Sequence, residues 1–123
     1  MATLNDRVFD NGLTILDTEA NRIDVTSQEA TSYTEATSTY TLGNSTSLSI
    51  GAPADRSGGG RKVAVAAITD GSISATGTAT HYAIVDTSNS RLLATGSLTA
   101  SQSVTSGNTF TLATFDIGIP DPA

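Results

Sequence analysis

Apolar residues in this chain recur in short runs, many of them alternating, separated by Gly, Asn, Asp and Ser. That spacing is what strands joined by turns produce. The clearest alternation is Arg22-Ile23-Asp24-Val25-Thr26, which predicts a strand with one buried face. Lys62 to Ile68 is the most strongly apolar run and predicts another. Thr80 to Val85, with Tyr82 and Ile84 on one side of the pleat and His81, Ala83 and Val85 on the other, predicts a third. Arg91 to Leu98 is its partner across the Asp86–Ser90 turn. Thr109 to Ile119 closes the series, with Phe110, Leu112 and Phe115 packing inward. Pro120 has no N–H to give a ladder, so pairing should stop there.

Between these runs the breakers are legible. Asp70-Gly71 reads as a hairpin dipeptide, returning the chain through Ser72 to Thr76. Gly107-Asn108 reads as a turn after Ser101 to Val104. Ala52 to Arg61, with Gly58-Gly59-Gly60, reads as a flexible surface excursion that only a neighbouring molecule would order. Ser47 to Ile50 fits a short strand. Ser27 to Thr41 is a polar excursion with room for one helical turn.

A helical pattern is confined to the start. Thr3 and Asp6 have capping-box spacing, Leu4 and Val8 share a face, and Asn11-Gly12 is a natural stop, so a short helix is expected over Thr3–Asn11. Leu13-Thr14-Ile15-Leu16 fits either a strand or a further helical turn. The fold class expected is mainly β: an antiparallel β-sandwich or jelly-roll-like domain with a short N-terminal helix. One domain accounts for residues 1–123, with an N-terminal arm and helix over 1–20, the β domain over 21–119 and a tail over 120–123.

Composition makes the core of such a domain lean. There is no Trp, one Met, three Phe and three Tyr, while Ser and Thr exceed a quarter of the chain. A lean core is often completed by oligomerisation, so a homo-oligomer is expected, with a trimer preferred. The formal net charge of −6 disfavours nucleic acid, whose affinity comes from Lys and Arg releasing counterions. It also disfavours an anionic membrane surface. With no Cys, disulfides, thiolate catalysis and cysteine-based zinc sites are excluded. No signal-peptide pattern opens the chain and no apolar run is long enough to span a membrane, so a soluble protein not exported through a classical signal is expected.

Each candidate for chemistry reads better as structure. His81 is the single histidine and has no second imidazole or thiolate to share a metal. Asp6, Asp10, Asp17 and Glu19 are close in sequence but lack the spacing and glycine of a calcium loop. Ser57-Gly58-Gly59-Gly60-Arg61-Lys62 lacks the order of a phosphate loop, because Val63 follows Lys62. A hydroxyl nucleophile needs a base and an orienting group. No catalytic, cofactor-binding or metal residue is therefore expected, and the chain is expected not to be an enzyme. A glycan-cleaving domain is the enzymatic alternative. It requires paired carboxylates and usually aromatic platforms, and this chain is poor in aromatics.

Three segments carry a resemblance. Gly77-Thr78-Ala79-Thr80-His81-Tyr82-Ala83-Ile84-Val85-Asp86, Arg91-Leu92-Leu93-Ala94-Thr95-Gly96-Ser97-Leu98-Thr99 and Val104-Thr105-Ser106-Gly107-Asn108-Thr109-Phe110-Thr111-Leu112 resemble small virion proteins of tailed bacteriophages and prophages. The opening Leu4-Asn5-Asp6-Arg7-Val8-Phe9-Asp10-Asn11-Gly12-Leu13 is similar to short proteins of the same structural gene clusters. The resemblance implies a virion structural protein. Its expected role is capsid decoration (cement): seated on the head exterior, with the major capsid protein and copies of itself as partners. A tail, baseplate or fibre component is the alternative. Ala2 to Leu16 or Gly118 to Pro122 is expected to reach a neighbouring subunit.

Overall fold

A computed structural model describes residues 6–120, with side chains from Asp10 onward. The Thr3–Asp6 cap, the Leu4–Val8 pair and the tail beyond Pro120 lie outside that description. The protein is mainly β, 51% strand and 15% helix, with antiparallel curled sheets and a short N-terminal helix, consistent with a β-sandwich-like fold. The chain forms two compact units, one from residues 1–19, 49–67 and 113–123, the other from 20–48 and 68–112.

The larger unit is a six-stranded antiparallel sheet. Its strands are β1 (Arg22–Thr26), β2 (Thr41–Ser45), β5 (Ile68–Ile73), β6 (Gly77–Asp86), β7 (Arg91–Val104) and β8 (Thr109–Leu112), in the order β7-β6-β1-β2-β5-β8. Central β1 is buried on both faces rather than the single face that alternation implies. Ile23 and Val25 lie on one side, Asp24 and Thr26 on the other, and all four are buried. The reason is the polar excursion after β1. It contributes Ala30 and Ala36, which cluster with Ala83 and Val85 of β6 and with Tyr33, Tyr40 and Leu92.

The excursion is held by its own polar groups. Ser32 Oγ accepts the Glu35 N–H at 3.1 Å, and Glu35 Oε1 accepts the Thr31 N–H at 2.8 Å and the Thr31 hydroxyl at 2.7 Å. These bonds brace the chain just ahead of one π-helical turn over Glu35–Thr39.

A strand expected at Ser47–Ile50 is absent; Ile50 makes an isolated bridge to Val65. The neighbouring strand is β2 instead, with Leu42, Gly43 and Ser45 buried. Asp70-Gly71 is no turn either. Both residues lie within β5, which carries one extra residue opposite Phe110–Leu112. Gly71 is buried beneath the Phe110 ring, and a Cβ at that position would overlap the ring. Asp70 accepts hydrogen bonds from Ser45 Oγ at 3.0 Å and Ser47 Oγ at 2.6 Å, so its carboxylate anchors β2 to β5. These two hydroxyls hold the Asp70 carboxyl below the usual carboxylate range.

The smaller unit has helix α1 (Asp6–Glu19) and a three-stranded antiparallel sheet of β3 (Ala54–Asp55), β4 (Arg61–Val65) and β9 (Phe115–Ile119), in the order β3-β4-β9. The helix does not stop at Asn11-Gly12; it runs on through Leu13 and Leu16, which are buried. Interior Gly costs a helix about 1 kcal/mol relative to Ala. Burying a Leu side chain contributes about 1.5–3 kcal/mol, so two of them outweigh the glycine. α1 packs against β4. Arg61 reaches from β4 to Asp10 at 2.9 Å and to Asp55 at 2.7 Å.

Two runs expected as single strands are divided between the sheets. Lys62–Ile68 breaks at Ala66-Ala67, which leaves Val65 in β4 and Ile68 in β5. Thr109–Ile119 breaks at Ala113-Thr114. The breaks match in register: Val65 pairs with Phe115 on one side and Ile68 with Leu112 on the other. Thr114 Oγ1 donates to the Val65 carbonyl at 2.7 Å, and the Ala66 N–H donates to the Ser49 carbonyl at 2.9 Å. The backbone groups released there thus find partners outside the ladder.

Candidate functional site

His81 lies on β6, half-buried, and its Nδ1 is 2.8 Å from Thr80 Oγ1. Its cross-strand neighbours are Thr26 and Ser97. The acidic residues of α1 are not gathered. Asp10 is engaged by Arg61, Asp17 is exposed, and the Asp6 side chain lies outside the description. Among the described residues no three of His, Cys, Asp and Glu come together as a metal-ligand set.

The glycine loop follows a left-handed backbone path closed by its own hydrogen bonds. Gly58, Gly59 and Gly60 take φ values of 88°, 103° and 92°. L-residues with side chains rarely adopt these values. The Arg56 N–H donates to the Gly60 carbonyl at 3.1 Å, and the Gly59 N–H donates to the Arg56 carbonyl at 3.1 Å. Gly60 also passes so close to the Ile119 carbonyl that a Cβ would overlap it. Strand β4 follows the loop, where a nucleotide-binding loop requires a helix.

The most chemically loaded interior position is Asp24, which sequence reading passed over as one more alternating residue. It is fully buried. Arg22 grips it in bidentate fashion, Nε to Oδ1 at 2.7 Å and Nη2 to Oδ2 at 2.8 Å. The Thr41 hydroxyl adds a third bond at 2.6 Å. The hydrogen bond to Asp24 raises the Arg22 pKa further above its ordinary value. With every carboxylate oxygen engaged, this group locks β1 to β2 and offers no free base.

Surface able to engage another macromolecule is found in two places. In the smaller unit, Ile15 of α1 and Ile119 of β9 are the large hydrophobic residues left exposed among those described, at 45% and 36%. Ile119 Cδ1 lies 3.8 Å from where a Gly12 Cβ would be, and Ile15 is one helical turn beyond Gly12. Both exposed side chains thus belong to α1 and the strand that passes beside it at Gly12. They belong to the two segments expected to reach a neighbouring subunit. In the larger unit, β7 is an edge strand of 14 residues. From Leu92 to Val104 it carries no charged residue. Extra residues at Leu93 and over Leu98–Ser101, relative to β6, interrupt its pairing. Such bulges limit how far another strand can add to an edge.

Comparison of the chain with family models, with characterised proteins and with solved structures finds no match.

Proposed function

We propose that this chain is a non-enzymatic structural protein of a tailed-phage particle, a capsid decoration protein that binds the head exterior and ties major capsid subunits together. The observation that carries the reading is the exposure of two large aliphatic side chains, Ile15 and Ile119. Burying large aliphatic side chains is the usual currency of protein association, at about 25 cal/mol per Å² of apolar surface removed from water. The pair lies on the terminal elements α1 and β9, and a lattice of repeated subunits multiplies a modest contact over many copies. The resemblance of the three β segments and the opening segment to phage virion proteins supplies the setting. Its formal charge of −6 favours a protein that stays dispersed until it docks.

Self-association into a trimer belongs to the same proposal. The edge of β7 from Leu92 to Val104 supports it, because copies can meet there without opposing acidic groups over the stretches between the bulges. Catalysis, nucleic acid and membrane have no part in this mechanism; the work is binding.

The test is location. Tail-less heads should retain the protein in many copies. Its absence from heads together with its presence in purified tails would establish a tail, baseplate or fibre role instead.

A further inference from the structure

The outer face of the three-stranded sheet carries an organised cation. The Arg56 side chain lies across β9 at Gly118, where a Cβ would come within 3.0 Å of Arg56 Cδ and 3.3 Å of Nε. A side chain there would press on the Arg56 stem and shift it by a few tenths of an ångström. The guanidinium is then pinned from one side, with Nη1 donating to the Gly59 carbonyl at 3.0 Å and, at 3.5 Å, to that of Ser57. No carboxylate pairs with Arg56 among the described residues, whereas Arg22, Arg61 and Lys62 each have one. Its Nε and Nη2 have no partner there. These atoms form the fork edge that matches a planar oxyanion with two parallel hydrogen bonds.

Arg56 lines an open cleft of about 370 Å³ together with Ser57, Lys62, Asp116 and Gly118. Lys62 stands directly opposite Gly118 in the ladder and holds Asp116 at 2.9 Å. The cleft therefore contains two cations and one anion, a net charge of +1 on a chain whose total is −6. A singly charged carboxylate balances that charge. A doubly charged phosphate would overshoot it and face Asp116.

We propose that Arg56, flanked by Ser57 and Lys62, is a binding site for one carboxylate group, taken through the Nε–Nη2 fork of the guanidinium. The inference is independent of the particle role, since it follows from the cleft alone. A free carboxylic acid or a Glu or Asp side chain of a protein partner presents the same chemistry.

The experiment is an NMR titration of the full-length protein at constant ionic strength, following the Arg56 side-chain Nε–H and the amides of Ser57 to Gly60. The probes are acetate, a capped Gly-Glu-Gly peptide and inorganic phosphate. Saturable shifts with acetate and the peptide are expected, with phosphate weaker. Tighter binding of the peptide identifies a protein side chain as the source, and equal binding identifies a free carboxylate. Arg56→Gln should abolish saturation. Arg56→Lys keeps the charge but loses the fork, and should weaken binding about tenfold. Gly118→Ala keeps every charge and displaces the Arg56 stem, so it should weaken binding too; unchanged amide dispersion elsewhere shows that the sheet survives. Absence of saturable shifts, phosphate binding tighter than acetate, or Arg56→Lys binding like wild type would each overturn the proposal.

Discussion

In the larger unit the central strand is covered on both sides, and even its polar residues are sealed. Asp24 and Thr26 are fully buried, and Arg22 and Thr41 satisfy the Asp24 carboxylate. In the smaller unit, Val63, Val65, Leu13 and Leu16 are buried, yet Ile15 and Ile119 are partly exposed to solvent. The first unit uses a polar segment as the cover for one face of its sheet. The second has two large apolar side chains outside its core. The contrast separates residues that specify the fold from residues available to a partner, although both sets are aliphatic or charged side chains of ordinary kinds.

The largest expected effect lies in the larger unit. Asp24→Ala removes one partner of a buried ion pair and leaves the half-buried Arg22 guanidinium unpaired, at a cost of about 3–5 kcal/mol. Denaturant unfolding measures it. Replacing both members with apolar residues of similar size should recover most of the loss. If Asp24→Ala costs less than about 1 kcal/mol, the sealed-strand account of β1 is wrong.

Next comes Ile23→Ala, which opens a cavity beneath β1 and should cost about 3 kcal/mol in the same measurement. Ile119→Ala is its counterpart in the smaller unit, and being only partly covered it should cost less, about 1–2 kcal/mol. Equal costs for the two substitutions would erase the distinction between the units.

Acid should act on the larger unit. Glu35 is held below the usual carboxylate range by the Thr31 hydroxyl and amide, Asp70 by Ser47 and Ser45, and Asp86 by the Asn89 amide. All three belong to that unit. A carboxyl group with a lowered folded-state pKa stabilises the fold above its unfolded pKa, and the stability is lost as pH falls through the folded value. Thermal unfolding followed from neutral pH to below about pH 3 should show a falling midpoint, beginning in the ordinary carboxylate range near pH 4. Asp70→Asn should flatten part of that slope. An identical slope in the variant would remove Asp70 from the account.

A smaller effect on folding and the largest on attachment are expected at the apolar pair. Ile15→Ser with Ile119→Ser should shift the unfolding midpoint less than Ile23→Ala does and release the protein from phage heads. Undiminished attachment would place the head contact elsewhere, with the β7 edge as the next surface to test.

The mainly β, antiparallel class, the N-terminal helix and the strands at Arg22–Thr26, Thr80–Val85 and Arg91–Leu98 were legible because alternation and turn residues are local signals. Asn11-Gly12 and Asp70-Gly71 misled for a common reason. Both dipeptides favour turns in isolation, but burial of Leu13 and Leu16 carried the helix through the first. At the second, the Phe110 ring over Gly71 and the Ser45 and Ser47 bonds to Asp70 held the chain in a strand. Packing energies of a few kcal/mol exceed turn preferences of about 1 kcal/mol. For the cleft, the sequence displayed Gly58-Gly59-Gly60 and its adjoining cations, but nothing in it placed Gly118 beneath Arg56.

The sequence by itself determined the absence of cysteine chemistry, the acidic charge, the β-rich pattern and the limits of most turns, because these depend on residue type and near neighbours alone. Only the tertiary structure decided that Lys62–Ile68 and Thr109–Ile119 each divide between two sheets, since both halves of each run are apolar and a local pattern cannot say which neighbour covers them. It also decided that Asp24 is sealed while Ile119 is exposed. Burial is a property of what the rest of the chain brings to a residue: the 27–40 excursion covers the face of β6 beside Asp24, whereas the cover over Ile119 is partial.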